Sequence, residues 1–526
     1  MDEVLPPEVP AATTVEVPRG RAALAGAAAA GLAVGLTELA AGLTESVPSA
    51  LSSVGGYVVD NAPPVVKDTA ITVFGTADKG ALAIGTVIIA VLIGALIGPW
   101  AAKRRWVGVA VFTGFALVGI GAAFSQPTYG AAATIIVIAL AALAGWWCLD
   151  RLLAMLRTPR RMETPTDNMP GDGGRRRFMW TVGGIGVGAA LSGVVGRSLI
   201  ISRSEEVRDA MDLPAATETV PAPGVDASFQ VEGLVPVVVP NDQFYRIDTA
   251  LVVPRPDPHT WTLRIDGMVE RELVLTMADL LAMPLHEQYT TLSCVSNEVG
   301  GSLVGNAKWT GVRLVDLLER AGVQPGADQL VSHSVDGWNC GFPTELAFDG
   351  RDPLVAVGMN GDMLPPAHGF PARLVVAGLY GYVSATKWLE RIELTTWDGF
   401  DGYWVPRGWS KEGPIKTQSR IDVPERGADV AAAPVVLAGV AWAPLKGVER
   451  VEVRIGDGPW EDAELSSPLS DKSWMQWRHE VTLEPGQQWT ATVRATDGTG
   501  ETQTDEVAPP APDGATGWHS VDFSTV

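Results

Sequence analysis

Apolar residues are concentrated in five runs within the first 200 positions of this 526-residue chain. Each run is close to the length of about twenty residues that an α-helix needs to cross a bilayer. The sequence therefore predicts five transmembrane helices. The first run is Ala-rich and contains Glu38, so a soluble helix is an alternative for it. The five runs are Arg21–Leu43, Gly80–Trp100, Trp106–Phe124, Ala131–Leu149 and Phe178–Ile201.

Basic residues predict the orientation of these helices. Lys and Arg cluster between the second and third runs and again between the fourth and fifth, whereas residues 125–130 carry neither. Because basic loops stay on the cytoplasmic side, we expect the N-terminus inside and everything after about Ser202 outside. Residues 1–20 are mostly acidic and Pro-rich, and we expect them to be disordered.

After residue 201 the pattern changes. Residues 202–228 are polar and Pro-containing, which predicts a linker. Within residues 229–419, Trp261–Gly267 alternates apolar and polar positions as a half-buried strand does. Helical spacing over Met277–Met283 and Arg313–Arg320 adds short helices. These residues therefore predict a mixed α+β domain.

Residues 420–526 read as short alternating strands that are separated by Gly, Pro and Asp. This spacing predicts an immunoglobulin-like β-sandwich. The predicted strands are Val435–Trp442, Val448–Ile455, Trp477–Leu483 and Trp489–Thr496.

Charge and composition exclude some functions. The formal net charge of -21 argues against binding nucleic acid through a basic surface. All six His follow residue 258, so the membrane helices cannot hold a haem between two His ligands. Three Cys without a CxxC motif do not form a disulfide framework. A disulfide between Cys294 and Cys340 is an alternative, and it would leave Cys294 without a free thiol.

Cys294 lies at the centre of Thr291–Asn297, at a predicted strand-to-loop junction before the glycine-containing stretch Gly300–Gly305. A thiolate presented there can bind a soft metal. A lone Cys is more often a small buried hydrophobe, and this segment alone leaves both interpretations open.

Two downstream segments, His368–Val376 and Gly378–Leu389, decide in favour of chemistry. Together with the Cys294 segment they resemble the sulfite-oxidase-type family of molybdopterin enzymes, over a region from about Phe229 to the C-terminus. The resemblance implies that the α+β domain is a molybdopterin-binding oxidoreductase domain with a molybdenum–molybdopterin cofactor. It also implies that Cys294 supplies a sulfur ligand to molybdenum.

The resemblance extends to individual residues. His368, Arg373 and Lys387, with Thr386, would hold the cofactor, since Arg and Lys suit its phosphate. Asp336 matches a position that contacts the pterin, although a turn residue is an equal alternative. The family implies further pocket positions at Phe244, Tyr245, Arg246 and Asp248.

Two more residues are candidates for catalysis. Arg246 falls where sulfite oxidases carry an Arg that faces the substrate anion, and a surface strand charge is its alternative. In the resembled family an active-site Tyr follows the Lys-Trp pair, and Tyr403 follows Lys387 and Trp388 at about the same distance. Tyr380 and Tyr382 are alternatives for this role.

The predicted function is oxygen-atom transfer on a small substrate outside the cell membrane. Sulfite is disfavoured because Cys294–Gly301 contains no Arg or Lys and includes Glu298, although Arg407 or Lys411 remains a candidate cation from elsewhere. One alternative is a sulfite oxidase proper. Another is a membrane-tethered binding or structural protein that retains the fold without catalysis.

The expected partners are a small-molecule substrate, the membrane and a separate redox protein or quinone. We recognise no haem domain or flavin motif, and no haem is expected in this chain. Dimerisation through the C-terminal domain is an expectation from the resemblance. Arg175–Met179 resembles a twin-arginine export signal, and plain positive-inside anchoring is its alternative.

Overall fold

The computed structural model describes residues 17–44, 47–62, 78–124, 131–157, 173–432 and 434–526. It divides into two compact units. The first comprises residues up to Arg203 together with Ala250–Val252, and the second comprises the remainder. Residues 1–16, which are predicted to be disordered, lie outside the described residues. The same is true of residues 63–77 and 158–172, which belong to the charged loops between predicted membrane helices.

The described part of the first unit is helical. Five of its helices are long and apolar enough to cross a membrane, which confirms the five predicted runs at this level. The structure adds one helix of 12 residues, α2, which is too short to give a transmembrane signal. The helices are α1 Arg19–Leu43, α2 Ala50–Asn61, α3 Asp78–Lys103, α4 Arg105–Phe124, α5 Ala131–Arg157 and α6 Gly173–Asp209.

Small residues let α1 and α3 approach closely. A Cβ atom added at Gly26 would lie 2.0 Å from the carbonyl oxygen of Gly94, and one at Gly98 would lie 1.9 Å from that of Ala22. Contacts of this kind are typical of helices packed in a bilayer. The Ala- and Gly-rich composition of the first run therefore serves packing against a neighbouring helix.

Glu38, the acidic residue within α1, is a capping residue. Its carboxylate accepts hydrogen bonds from the Ser49 hydroxyl at 2.8 and 2.9 Å and from the backbone N–H of Leu51 at 3.1 Å. These groups are at the N-terminus of α2, where an anion satisfies otherwise unpaired donors. Glu38 therefore has a structural partner within the helical unit.

The α+β domain contains two β-sheets. One has the order β2-β1-β10-β5-β6, and the other has the order β3-β4-β7-β8 with β9 paired to β7. Their inward faces form one hydrophobic core that includes Trp309 and Phe342. The strands are β1 Thr262–Gly267, β2 Leu273–Thr276, β3 His286–Ser293, β4 Val304–Arg313, β5 Gln329–Ser334, β6 Asn339–Pro343, β7 Leu354–Met359, β8 Asp362–Met363, β9 Arg373–Val375 and β10 Leu389–Thr395.

Short helices connect these strands. The first is fixed by a capping box, in which the Thr276 hydroxyl accepts from the backbone of Asp279 and the Asp279 carboxylate accepts from the backbone of Thr276. The predicted helices at Met277–Met283 and Arg313–Arg320 are present with slightly shifted ends. The helices are α7 Met277–Leu281, α8 Leu314–Ala321 and α9 Gly381–Ser384.

The predicted linker is joined to the sheet. Thr217 N–H donates to Leu285 O at 2.8 Å, and Glu287 N–H donates to Glu218 O at 2.8 Å. Glu218 forms a parallel bridge with His286, and their side chains lie 3.0 Å apart. This stretch therefore extends the outer edge of β3, and it is more ordered than the sequence predicts.

The C-terminal residues form two sheets that share one hydrophobic core. Their orders are β11-β13-β17-β16 and β12-β19-β18-β14-β15. The four strands predicted from alternation are all present, while the immunoglobulin-like topology stays a prediction. The strands are β11 Gln418–Val423, β12 Asp429–Val430, β13 Val435–Trp442, β14 Val448–Ile455, β15 Glu461–Asp462, β16 Glu464–Leu465, β17 Met475–Val481, β18 Gln488–Asp497 and β19 His519–Thr525.

Candidate active site

A cavity in the α+β domain gathers most of the candidate residues, although they are far apart in sequence. The end of β3, the turn after β5, the start of β9 and the segment after α9 all open into it. The sequence-predicted residues that line it are Phe244, Tyr245, Asp248, Cys294, Asp336, His368, Arg373 and Lys387.

Cys294 directly follows β3, which confirms its position at a strand-to-loop junction. Its thiol is free and buried, as are those of Cys148 and Cys340, so the alternative Cys294–Cys340 disulfide is absent. Burial raises the pKa of the Cys294 thiol, while hydrogen bonds involving Ser296 and the positive charge of Lys387 act in the opposite direction. The thiol therefore needs a further cation beside it before it ionises readily.

Arg373 is a buried cation without a carboxylate partner among the described residues. Its guanidinium donates to the carbonyl oxygens of His368 at 3.1 Å and Leu374 at 3.4 Å, and it lies 4.9 Å from the ring centre of Trp309. Burial lowers its pKa to about 10. Because a buried charge is costly without an opposite charge, this side chain fits an anionic ligand such as the phosphate of a cofactor.

Lys387 and Asp248 form the second charged feature of the cavity. The Lys387 ammonium donates to Asp248 Oδ2 at 2.7 Å and to the carbonyl oxygen of Ala367 at 3.3 Å. Burial lowers the pKa of Lys387 to about 8, although Asp248 opposes the shift. Asp336 is also buried, which raises its pKa. The cavity thus holds both signs of charge, with the cations Arg373 and Lys387 and the carboxylates Asp248 and Asp336 in its lining.

His368 is neutral near pH 7. Burial, together with nearby cations, lowers its pKa to about 4. Its Nε2 lies 2.8 Å from the carbonyl oxygen of Asn241, so this nitrogen carries the proton. Nδ1 is then a hydrogen-bond acceptor, and His368 is suited to contact a donor-bearing ring such as a pterin.

Phe244 and Tyr245 form the aromatic wall of the cavity. Their rings stack with centres 5.2 Å apart, and Phe244 also contacts Trp309 and His368 edge-on. Burial and the neighbouring Cys294 raise the pKa of the Tyr245 hydroxyl. Tyr245 therefore offers a protonated hydroxyl close to the thiol.

Three candidate side chains lie elsewhere. Arg246 is outside this cavity's lining and pairs with Asp248, with Nε and Oδ2 2.8 Å apart, while it lines a neighbouring pocket together with Phe244 and His368. The Thr386 hydroxyl is buried behind the cavity against Ser332 at 2.6 Å. Tyr403 packs under the Arg407 guanidinium, 3.6 Å from its ring centre. The structure thus places the side chains of Arg246, Tyr403 and Thr386 outside the lining of this cavity, and their expected roles stay predictions.

The absence of Arg246 from the cavity lining has a structural cause. Residues 241–252 form no strand, so the alternation of a strand does not tell which side chain faces inward. The next residue, Ile247, lines the cavity instead.

Sequence analysis also missed several lining residues. Trp404 and Trp409 lie on the segment that carries Tyr403, with ring centres 6.3 Å apart, and an aromatic-rich loop was the available signal. Tyr382, named from the sequence as a competitor of Tyr403, does line the cavity. The missed lining residues are Ile247, Thr249, Val295, Ser296, Ser334, Trp338, Ala385, Trp388, Trp404 and Trp409.

Comparisons with known proteins agree with this geometry. Residues 250–404 match the family model described as "Oxidoreductase molybdopterin binding domain". The uncharacterized oxidoreductase YuiH of Bacillus subtilis is 35% identical over 157 residues, which cover 30% of this chain and 76% of YuiH. Mitochondrial sulfite oxidase of Mus musculus is 30% identical over 323 residues, which cover 52% of this chain and 58% of that enzyme.

Among solved structures, the sulfane dehydrogenase SoxCD from Paracoccus pantotrophus is similar, with a TM-score of 0.44 and 25% identity. The match covers 51% of this chain and 74% of the SoxCD chain. The chain thus spans little more than half the length of the mouse enzyme.

Proposed function

Since this chain belongs to the sulfite oxidase family of molybdopterin-binding oxidoreductases, we propose that it is a molybdenum-cofactor enzyme that transfers an oxygen atom to or from a small substrate. The observation that carries this proposal is the buried Arg373 guanidinium, which has no carboxylate partner in the described parts of the chain and lines the same cavity as Cys294. An anionic cofactor supplies the missing counter-charge.

When bound, the cofactor supplies a metal centre that exchanges two electrons and an oxygen atom with the substrate. The chain binds and orients it. Cys294 offers the sulfur ligand, Arg373 binds the phosphate, and His368 accepts a hydrogen bond at Nδ1. Tyr245 keeps a proton at its hydroxyl beside Cys294, and from there it can donate a hydrogen bond to an oxygen of the substrate.

The proposal of a cofactor is tested by substitution of Cys294. We expect Cys294→Ser to lose molybdenum and turnover, because a serine hydroxyl is a far weaker ligand for a soft metal. Cys340→Ser is the matched control, since Cys340 lies behind the cavity against Ser332 and Thr386. A Cys294→Ser protein that keeps about one molybdenum per chain and stays active would overturn the assignment.

We further propose that the substrate is neutral or weakly charged rather than sulfite. Lys387 is already paired with Asp248, and the Arg246 guanidinium also pairs with Asp248 and is outside the cavity lining. Ile247 lines the cavity next to it. A dianion beside Asp248 and Asp336 lacks the converging cations that it requires.

The alternative cations considered from the sequence are engaged elsewhere. Lys411 donates to Phe400 O at 2.7 Å and to Asp401 at 2.9 Å, and Arg407 covers the ring of Tyr403. Glu298 is exposed and outside the cavity lining, so the carboxylates that argue against a dianion are Asp248 and Asp336.

Steady-state kinetics with sulfite and with methionine sulfoxide, on one molybdenum-loaded preparation, test the substrate. We expect saturable turnover of the neutral sulfoxide and poor turnover of sulfite. Sulfite oxidation with kcat/KM of about 10⁴ M⁻¹s⁻¹ or more would favour the alternative of a sulfite oxidase proper.

We propose that the α+β domain works on the extracytoplasmic side and exchanges electrons with a separate redox protein or quinone. The basic residues that flank the membrane helices support this orientation. Arg175 and Arg176 support export of a folded domain by the twin-arginine route. Replacing both with Lys keeps the positive charge, so loss of export in that variant favours the export signal and unchanged export favours plain anchoring.

A further inference from the structure

The loop that follows Cys294 is closed on itself. Cys294 N–H donates to Leu303 O at 2.9 Å, and Leu303 N–H donates to the Asn297 side-chain oxygen at 2.8 Å. Asn297 N–H in turn donates to Cys294 O at 3.1 Å. The loop therefore has an internal frame, and at its tip Gly301 N–H donates to Glu298 O at 2.8 Å.

The C-terminal domain holds this tip. Arg420 donates from Nη1 to the carbonyl oxygen of Gly301 at 2.9 Å, and its Nε donates to Asp422 at 2.6 Å. Arg420 is largely buried, so both bonds are shielded from water. Hydrogen bonds from a charged donor are stronger than those between neutral groups.

His519 makes the second contact with the tip. Its Nδ1 accepts a hydrogen bond from the backbone N–H of Ile421 at 3.0 Å, which fixes the ring. A Cβ atom added at Gly300 would lie 2.1 Å from Cδ2 of that ring and 2.2 Å from Nε2. Gly300 has a φ of +77°, so both its backbone conformation and its contact with His519 require glycine.

The same domain also holds the strand that leads to Cys294. β3 is at the edge of its sheet, and its Thr291 N–H donates to Lys472 O at 3.0 Å. Trp474 N–H donates to the Thr291 hydroxyl at 2.7 Å, and Ser470 donates to Tyr289 O at 2.8 Å. The Trp474 side chain is fully buried in the core of the α+β domain.

We infer that the C-terminal domain positions the Cys294 sulfur, with Arg420 and His519 as positioning residues that hold the loop after it and Trp474 holding the strand before it. The contacts that carry this inference are independent of the proposed function. Only their consequence for catalysis rests on the proposed role of Cys294 as metal ligand. Without these contacts, Arg420 and His519 no longer hold the backbone at Gly300 and Gly301. The edge of β3 at Thr291 is then unpaired. The thiol then samples positions away from the cavity.

The test measures the thiol directly, on the full chain purified without cofactor. Alkylation of each Cys by iodoacetamide is followed by mass spectrometry, and backbone hydrogen exchange is followed over residues 286–304. We expect Arg420→Ala and His519→Ala to speed Cys294 alkylation and exchange of this segment by about five- to tenfold, as the loss of one or two hydrogen bonds implies.

Controls within the chain separate this role from general loosening. Arg426→Ala is the matched variant, because Arg426 contacts Ser520 and Asp522 on the surface of the same domain. Cys340 is a second buried thiol and serves as an internal reference. Unchanged Cys294 reactivity, or an equal increase at Cys340 and throughout residues 420–526, would contradict the inference.

A double substitution tests the Gly300 contact itself. We expect Gly300→Ala to expose Cys294 in the native background and to have a smaller further effect when His519 is already Ala, because the clash is then gone and only the φ penalty remains. Purely additive effects would contradict the contact. Because these readouts need no metal, a failure of the cofactor assignment leaves them unaffected and is recognised separately by the metal content of Cys294→Ser.

Discussion

Lys387 and Asp248 are joined across 139 positions of sequence by a buried ion pair of 2.7 Å at the wall of the cavity. We expect Asp248→Asn to lower stability by about 3–5 kcal/mol, because it leaves the Lys387 charge buried without a partner. Thermal unfolding of the full chain in detergent measures the loss.

The double variant Asp248→Asn, Lys387→Met separates stability from ligand binding. It should recover most of the stability, since no uncompensated charge remains, and still contain less cofactor than the native chain. If cofactor content returns together with stability, Lys387 is only a structural residue. Arg246→Ala is the control, because Asp248 keeps its bond to Lys387 in that variant.

Ile247→Arg should introduce the cation that an anion-oxidising cavity needs. The new guanidinium would lie at the position where Ile247 now lines the cavity. We expect kcat/KM for sulfite to rise by about tenfold or more, as a charge-assisted contact allows. Ile247→Met controls for side-chain length without charge. No gain with Arg, or an equal gain with Met, would argue against a role of local charge in selecting the substrate.

The buried, neutral His368 should make the folded chain less stable in mild acid. Its pKa is about 4 in the folded chain and about 6.5 in an unfolded one. Between these values the unfolded chain binds a proton that the folded chain does not, so stability falls as pH drops from about 6.5 and is constant above it. At pH 5 this amounts to about 2 kcal/mol.

Unfolding temperatures at pH 7.5 and pH 5 check this dependence. His368→Gln should flatten the profile relative to the native chain, whereas the exposed His259→Gln should not. Identical profiles for the two variants would show that other groups carry the acid sensitivity.

The proposed orientation is tested by labelling of new cysteines. Val225 is 99% exposed, and Arg104 lies exposed between two membrane helices. A membrane-impermeant maleimide should label Val225→Cys in intact spheroplasts and label Arg104→Cys only after lysis. The native thiols in this chain are buried and give a low background. The reverse pattern would invert the topology.

Much of the architecture follows from local patterns. Runs of about twenty apolar residues predict membrane helices because the bilayer sets their length, and strands such as Val435–Trp442 follow from a period of two. Cys294 and Arg373 were predicted because the segments that carry them resemble those of the sulfite-oxidase-type family. These signals depend only on neighbours in sequence.

Other features depend on contacts that no local pattern records. Ile247 lines the cavity and Arg246 does not, in an irregular segment where no periodicity applies. Tyr403 packs against Arg407 outside the cavity lining. The contact of His519 with Gly300 joins positions more than two hundred residues apart, so a single sequence cannot indicate it.

The pairing of Thr217 and Glu218 with the edge of β3 determines where the α+β domain can be separated from its anchor. A soluble fragment that begins after Glu218 lacks this strand extension and exposes unpaired N–H and C=O groups at residues 285–287. Exposed sheet edges pair with other chains, so such a fragment should aggregate. A fragment that begins near Ser204 retains the cover and should remain monodisperse, and the same argument makes the segment a poor site for proteolytic release.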